Sequence, residues 1–408
     1  MKFLDILLGA PTLRTVTESL VKELRLRGEV DLAVNAADGV IDVRRDGKSS
    51  TVLNAHNLLH EVVRLPRAGR PAAIRRFLDG LLLTEAMDAR HFAEVAPFLL
   101  PVVRSADDYG IHGLSAEVSR AGPMATVATR PLVNDIVVAL VVDGKNAMAT
   151  VAEKRLEEWG VSFEQALDQA LSNLRGLAEH GGWKQVRPGV WSGEWGDYYE
   201  SSRMLLPDLV HRLNVKNPVV MVPFRGAILV TSAQDGEGIE GMLATVEQSI
   251  ANNNRWISFR PAILHGTAWT PFTPPPALEE RFRRLSFESA APAYAQQKEL
   301  LEKKFEADGG DVFVASYSAF TRDERLVTWA TWSEGVTHAL LPVTDVVVFV
   351  MSGSDAAESL MVPWACVREI VGHLMLPTEW MPTRLQVQEF PSPEELERLK
   401  AAALPTLG

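Results

Sequence analysis

The sequence contains a single cysteine, Cys366, among 408 residues, and it is short of positive charge. One cysteine cannot form an internal disulfide, so we expect a reducing compartment and predict a cytoplasmic location. The 41 basic residues are outnumbered by 52 acidic ones, which gives a formal net charge of −11. Binding to nucleic acid needs a basic surface that displaces counterions, so this charge argues against a nucleic-acid partner.

Long apolar runs are also missing. The longest, Ile136–Val142, has the length of a strand and falls far short of the roughly 20 residues that a membrane helix needs, so we predict no membrane insertion. There is no Gly-x-Ser-x-Gly elbow, Walker loop or Cys-x-x-Cys pair. Hydrophobic residues make up 47% and charged residues 23%, which is typical of a soluble globular chain.

Hydrophobic periodicity predicts a small N-terminal module over residues 1–95. Apolar residues at helical spacing predict a helix over 13–26. Two strands, 30–34 and 40–45, flank the turn sequence Ala-Ala-Asp-Gly. The other predicted elements are a strand over 50–53, a helix over 56–65 capped by Asn54, and a helix over 71–83.

The rest of the chain predicts an α+β fold of antiparallel sheets covered by helices. The pattern of an α-β-β-β-β-α-β unit occurs twice along the chain, so we predict a tandem duplication. The first copy is 163–264, inside a domain of residues 96–272, and the second lies in a C-terminal domain of residues 294–408. The strand pairs 219–223/227–232 and 337–341/346–352 are predicted to be equivalent hairpins.

Between these domains lies the proline-rich segment Thr270-Pro-Phe-Thr-Pro-Pro-Pro. Consecutive prolines favour an extended chain, so we predict a linker and connector over 273–293. Behind the prolines, residues 279–284 are predicted to be a charged helix start, and a further helix is predicted over 294–307.

The segment Gly196-Asp-Tyr-Tyr-Glu-Ser-Ser-Arg-Met-Leu carries a recognisable motif. It resembles the Asp-Gly-Tyr-Asp-Ala-Ser-Arg-Ile-Leu signature of the YtpQ family, a bacterial group of unknown function, with identities at Asp197, Tyr199, Ser202 and Arg203 and an acid at Glu200. Further similarities are Pro101-Val-Val-Arg-Ser, Asn173-Leu-Arg and Val222-Pro223. Phe224-Arg225-Gly226 replaces the family's polar His-Gln-Asp turn. The resemblance covers about residues 1–272 and implies a related fold but no reaction.

The same region supplies the candidate partner-binding residues. Tryptophan, tyrosine and arginine dominate binding hot spots because they combine a large contact area with a polar group. Two interpretations of Arg203 are open: it binds a carboxylate of a partner, or it pairs internally with Asp197 or Glu200. The segment 203–206 is predicted to be a strand. The candidates are Arg104, Trp191, Trp195, Asp197, Tyr199 and Arg203.

Gly236-Glu-Gly-Ile-Glu-Gly241 matches the glycine pattern of dinucleotide-binding turns. Asp235, Glu237 and Glu240 would repel a pyrophosphate there, and no acid follows at the expected distance of roughly 20 residues. We therefore interpret this motif as a glycine-rich helix start and assign no cofactor.

Three polar groups have both a functional and a structural interpretation. His56 and His60 lie one helical turn apart and are a weak candidate metal pair without a third ligand, so no metal site is assigned. Asp107, Asp108 and His112 lie in a predicted loop, where they are either an acid–base group or a solvated surface. The third group is a basic run that either binds an acidic partner or is solvated: Arg64, Arg67, Arg70, Arg75 and Arg76.

These observations favour a non-catalytic protein-binding protein, of the adaptor or chaperone type, with a protein partner. The alternative is a hydrolase or transferase whose acidic, histidine and arginine residues meet between domains. No catalytic residue is assigned from the sequence.

Overall fold

The computed structural model describes residues 11–45, 48–86, 91–119, 126–144, 147–251, 256–351 and 358–405. The helices are α1 (Leu13–Leu26), α2 (Ala55–Arg64), α3 (Arg70–Ala86), α4 (Phe92–Val95), α5 (Ala106–Val118), α6 (Glu153–Trp159), α7 (Phe163–Leu177), α8 (Pro207–His211), α9 (Gly236–Ile250), α10 (Pro276–Asp308), α11 (Trp364–Val371) and α12 (Pro393–Ala401). The strands of the first half are β1 (Asp31–Asn35), β2 (Val40–Arg45), β3 (Lys48–Asn54), β4 (Leu99–Ser105), β5 (Thr129–Val133), β6 (Ile136–Gly144), β7 (Ala147–Thr150), β8 (Gly182–Arg187) and β9 (Val190–Glu194). Those of the second half are β10 (Pro218–Met221), β11 (Leu229–Ser232), β12 (Ala262–His265), β13 (Ala268–Pro271), β14 (Phe313–Val314), β15 (Ser318–Arg322), β16 (Arg325–Ser333), β17 (Ala339–Pro342), β18 (Val346–Met351), β19 (Glu358–Pro363), β20 (Met375–Pro377) and β21 (Arg384–Val387).

Contacts divide the described chain into two units. The first comprises the described residues within Met1–Pro101, Ser119–Ala128 and Ala139–Leu174. The second comprises those within Val102–Val118, Thr129–Val138 and Arg175–Gly408.

The first unit begins with the predicted helix and three-stranded sheet. Thr12 caps α1 through a capping box, and α1 buries Leu20 against the sheet. The sheet has the order β1-β2-β3, with β1 and β2 antiparallel, as the turn sequence predicts. Asn54 ends β3 and caps α2, because its side chain accepts a hydrogen bond from the backbone N–H of His56. The predicted elements of this module are confirmed within one to three residues.

The second unit is built around a six-stranded antiparallel sheet of order β13-β12-β10-β11-β9-β8. Helix α9 packs on it through an apolar face at helical spacing. The buried members of that face are Ile239, Met242, Leu243 and Val246. Strand β9 leads directly into the motif segment, which forms a short 3₁₀ helix over Ser201–Leu205 instead of the predicted strand.

The C-terminal part of this unit does not repeat the topology of 163–264. Strands β10 and β11 form an antiparallel hairpin, whereas β17 and β18 lie in different sheets. These sheets have the orders β14-β17-β21-β20 and β15-β16-β18-β19, and both contain a parallel pair. The predicted duplication is therefore wrong. The antiparallel pairing of β10 with β12 does resemble that of β17 with β21. The remaining pairings differ because apolar strands of similar sequence can select different non-local partners, which local patterns do not encode.

The connector predicted over 273–293 is, from Pro276 onward, the first half of α10. Pro276 occupies the first turn, where a missing N–H costs nothing, so the proline run starts a helix here. Pro292 lies inside the helix, which continues to Asp308 because its sequence is rich in strong helix formers. The contacts leave no unit boundary between Arg175 and the C-terminal end of the described chain.

The α+β class is confirmed by helices and several largely antiparallel sheets in the same chain. In the part of the chain that the structure describes, no helix combines the length and apolarity needed to cross a membrane.

Candidate functional site

The motif segment folds into an internal clamp. The guanidinium of Arg203 donates to both carboxylate oxygens of Asp197, from Nη1 at 2.7 Å and from Nη2 at 2.6 Å. The Arg203 side chain is 0% exposed and that of Asp197 is 27% exposed. Such a bidentate pair is stronger and more directional than a single hydrogen bond. Internal pairing, one of the two interpretations open from the sequence, is the arrangement observed, and the partner is Asp197 rather than Glu200.

An indole ring covers this ion pair. The Arg203 guanidinium lies 4.7 Å from the centre of the Trp195 ring, whose Nε1 donates to the carbonyl of Ala178 at 3.2 Å. Trp183 packs edge-on against Trp195 at 5.2 Å. Gly193 makes room for the ring, since a Cβ there would lie 2.6 Å from Cζ3 of Trp195. The clamp is therefore enclosed on the ring side.

The backbone of the segment is held by its own acids. Asp197 Oδ1 also accepts from the backbone N–H of Tyr199 at 3.0 Å, and Glu200 Oε1 accepts from that of Gly196 at 2.7 Å. The second carboxylate oxygen of Glu200 is buried without a hydrogen-bond partner in the described residues. Tyr198, by contrast, is 83% exposed.

The other candidates of this group are also engaged inside the protein. Arg104 and Tyr199 are buried, and Arg104 Nη1 donates to the carbonyl of Val103 at 2.8 Å. Burial, and secondly the nearby Arg225 guanidinium, lowers the pKa of Arg104 to about 10. Trp191 lies half-buried on β9 against the sheet core. The candidates are brought together in one unit, but as supports of the fold rather than as an open surface.

The residues predicted to form a polar loop after Arg104 belong to α5 instead. Asp107 and Asp108 lie in its first turn, where the helix dipole favours carboxylates. Burial, and then the Asp135 carboxylate, raises the pKa of Asp107 to about 7, although Arg260 opposes the shift. Burial also raises the pKa of Asp108, against the opposing charge of Arg225 at 3.8 Å.

A complete acid–base group is not assembled around these aspartates. His112 Nδ1 contacts the backbone carbonyl of Asp108 at 2.6 Å rather than a carboxylate. The acid–base character here therefore rests on the raised pKa values of the two aspartates, of which that of Asp107 is raised to about 7.

The glycine motif is a helix start, as interpreted from the sequence. The Asp235 carboxylate caps α9 by accepting from the backbone N–H of Gly238 at 2.8 Å, so it occupies the position that a phosphate takes in nucleotide-binding turns. A Cβ at Gly238 would lie 2.3 Å from Thr231 Oγ1, which explains why glycine is required. The neighbouring strands are antiparallel rather than parallel.

The candidate metal pair is only half described. His56 is exposed, and its Nδ1 lies 2.8 Å from Asn54 Oδ1, whereas the side chain of His60 lies outside the described residues. Among the side chains that the structure describes, no three metal-ligating groups come together.

The basic run lies on the surface of the first unit. Arg67, Arg75 and Arg76 are exposed, and Arg76 pairs with Glu61. Arg70 donates from Nε to the carbonyl of Leu65, while the side chain of Arg64 lies outside the described residues. The described members favour the solvated interpretation.

A groove between α1 and β1 was not predicted from the sequence. It has a volume of about 590 Å³ and is lined by Glu18, Val21, Lys22, Arg25, Leu26 and Val34. Leu26 is 74% exposed, Val30 87% and Val34 42%. The signal available in the sequence was the apolar character of these three residues at positions outside the buried stripe of α1.

The fold and this geometry define an α+β protein whose aromatic and charged motif is structural and whose exposed apolar groove flanks an edge strand. Comparisons of the chain with protein-family models, with curated proteins and with solved structures found no match. The resemblance to the YtpQ family stays a prediction.

Proposed function

We propose that this is a non-catalytic, cytoplasmic protein-binding protein that captures an extended segment of a partner along β1. The cytoplasmic location rests on the single cysteine, and the proposed binding mode is addition of a strand to an exposed sheet edge.

The observation that carries the proposal is the unpartnered edge of β1. In the described chain, β1 pairs with β2 on one side only, across the register Asp31↔Arg44 to Asn35↔Val40. An edge strand presents unpaired backbone N–H and C=O groups, which form a template for another chain. The groove beside it would receive alternate side chains of that chain, because successive side chains of a strand point to opposite faces.

The charges in the groove define the partner's chemistry. Glu18 is paired with Arg14 at 3.0 Å, whereas neither Lys22 nor Arg25 has a carboxylate partner within the described residues. The apolar contact surface comes from Leu26 and Val34. The segment that fits is therefore strand-forming, apolar on one face and acidic near Lys22 and Arg25.

The test is selection of peptides from a displayed random library against the whole protein, followed by affinity measurement with synthetic copies. We expect strand-forming peptides with acidic residues, whose affinity falls at least about tenfold in Val34→Asp because an introduced carboxylate repels the acidic peptide and replaces an apolar contact. Val186→Asp is the matched control, since Val186 lies on the edge strand β8 of another sheet and is 40% exposed against 42% for Val34. Equal loss in both variants, or peptides that leave the amide exchange of residues 31–35 unchanged, would contradict the proposal.

A hydrolase or transferase is the second candidate, and the specific observation that favours it is the pKa of about 7 at Asp107. Mass spectrometry of a selected peptide after long incubation with the protein distinguishes the two. An intact peptide, and unchanged affinity in Asp107→Asn, support binding without catalysis. Cleavage or modification of the peptide that is lost in Asp107→Asn supports the enzyme.

A further inference from the structure

A separate cavity of about 390 Å³ lies in the second unit, within the size range of small-molecule sites. Part of its wall is apolar: Phe259, Phe272, Phe282, Phe287, Pro261 and Val343. Arginine, hydroxyl and carboxylate groups supply polar parts of the wall, among them Arg260, Arg283, Ser286, Tyr317, Glu279 and Asp345. This mixture of an apolar body and a few convergent polar groups is typical of ligand sites.

The aromatic wall is held rigid by stacking. The rings of Phe287 and Tyr317 lie 5.7 Å apart at 27°, and Tyr317 stacks on Tyr294 at 4.5 Å and 23°. On the far side, the Arg384 guanidinium lies 5.2 Å from the Tyr294 ring centre. Because each ring is fixed by the next, the wall is preformed for a flat apolar group.

The two acids of the cavity, Glu279 and Asp345, are each already paired with an arginine. Arg283 donates from Nη1 to Asp345 Oδ1 at 2.7 Å and from Nη2 to Glu279 Oε1 at 3.3 Å, and Arg325 also pairs with Glu279 at 3.1 Å. Asp345 Oδ2 accepts from both the N–H and the hydroxyl of Thr328 at 2.8 Å. Burial alone would raise the pKa of Asp345, but these hydrogen bonds and Arg283 lower it, so the carboxylate is charged at neutral pH.

The arginines retain donors that these acids do not use. Arg283 Nε is buried, and within the described residues it has no hydrogen-bond partner. An unsatisfied buried donor is costly, which makes it a strong point of attachment for an acceptor.

Arg260 is the exposed cation of the cavity. Its backbone is fixed, because its N–H donates to Ser258 Oγ at 3.1 Å and its carbonyl accepts from Asn134 Nδ2 at 3.2 Å. Across the described residues, its guanidinium has no hydrogen bond or ion pair. Asp107 is close enough to interact with it electrostatically, and the Asp135 carboxylate nearby is held by the Ser258 hydroxyl.

We infer that this cavity binds a small molecule with a flat apolar ring and one anionic group, a carboxylate, sulfonate or phosphate, that pairs with Arg260 and accepts from Arg283 Nε. The ring lies against the wall formed by Phe287 and Tyr317. The inference is independent of the groove on the first unit, since none of the residues involved is shared.

The test uses three probes with the same ring and different charge: 2-naphthoate, 2-naphthylmethanol and 2-naphthylmethylamine. Isothermal titration calorimetry with the whole protein at pH 7 measures their affinities. We expect 2-naphthoate to bind about tenfold or more tightly than the alcohol, because it makes a charge-assisted contact that the alcohol lacks, and the amine to bind most weakly.

Three variants distinguish the contribution of the Arg260 charge to binding from that of the cavity space. Arg260→Gln should abolish the preference for 2-naphthoate and leave the affinity for the alcohol unchanged, and it is expected to fold because Arg260 is exposed. Arg212→Gln, which removes a guanidinium that is 70% exposed outside the cavity, is the matched control and should change nothing. Ser286→Trp should block all three probes by filling the space. No binding of any probe, equal affinities for naphthoate and alcohol, or a preference that persists in Arg260→Gln would overturn the inference.

Discussion

The clamp between Asp197 and Arg203 gives the sharpest test of how the motif segment works. In Asp197→Asn, the Arg203 guanidinium remains at 0% side-chain exposure without its counter-charge. Breaking a buried pair in this way costs about 3–5 kcal/mol of unfolding free energy, which corresponds to a lowering of Tm by at least about 6 °C in a unit of this size. Arg203→Met should cost less, because the Asp197 side chain is 27% exposed and water can hydrate it.

The double variant Asp197→Asn/Arg203→Met removes both charges together. We expect its loss of unfolding free energy to be smaller than the sum of the single losses by at least about 2 kcal/mol, since the double variant leaves no charge without its partner. Urea unfolding followed by tryptophan fluorescence measures all three, and Trp195 reports directly on the clamp because its ring lies 4.7 Å from the guanidinium.

Arg175→Met is the matched control. Arg175 pairs with Asp208 at 2.7 Å, which matches the Nη1 contact of the clamp, but its side chain is 56% exposed, so we expect Arg175→Met to lower the unfolding free energy by less than about 1 kcal/mol. Additive single losses, or an unchanged Tm in Arg203→Met, would refute the clamp and return Arg203 to a partner-binding role.

Two further predictions concern α5 and α9. Asp107 has a pKa of about 7 in the folded protein against 3.8 as its ordinary value, so the folded state holds the proton more tightly and unfolding free energy should fall as pH rises from about 4 to about 7. Urea unfolding at pH 5 and pH 8 measures this decline, and Asp107→Asn should remove it. The substitution should raise the unfolding free energy at pH 8 by about 2–4 kcal/mol, a range that allows for partial solvent screening. Parallel pH profiles of the variant and the parent protein would contradict the prediction. Gly238→Ala should lower Tm by several degrees, because its Cβ would lie 2.3 Å from Thr231 Oγ1. Gly236→Ala is the control, since a Cβ at that position would have no atom within 4 Å. Equal changes in Tm would count against the contact.

The sequence predicted best those features that depend on neighbours along the chain. The hairpin of β1 and β2 follows from its turn residues, and α2 begins where Asn54 can cap it. The residues of the motif were recognised as a group, and internal pairing of Arg203 was one of two stated interpretations. Burial decides between those interpretations, and burial depends on packing that residue types alone do not determine.

Features that depend on distant partners were predicted poorly. Strands β17 and β18 have the same apolar character as β10 and β11, yet they pair in separate sheets, because strand pairing is chosen among distant candidates of similar propensity. The proline run before α10 was interpreted as a linker because consecutive prolines favour an extended chain, whereas in the structure the last of them begins the helix. The cavity draws its wall from residues between Asn134 and Asp345, a separation that no local motif spans.

The long helix α10 ties the cavity to the most deeply buried cation of the C-terminal part. One half of the helix carries Arg283 and Phe287, and the other half carries Gln297, whose Oε1 accepts from Arg384 Nε at 2.6 Å. Arg384 also donates to the carbonyl of Ala315 at 2.7 Å. An axial displacement of α10 would remove the Gln297 acceptor from Arg384, although not the Ala315 carbonyl, and would move Arg283 and Phe287 in the cavity wall at the same time. A molecule that enters the cavity therefore meets a rigid wall. Selectivity there should come from shape and charge complementarity rather than from closure of the protein around the ligand.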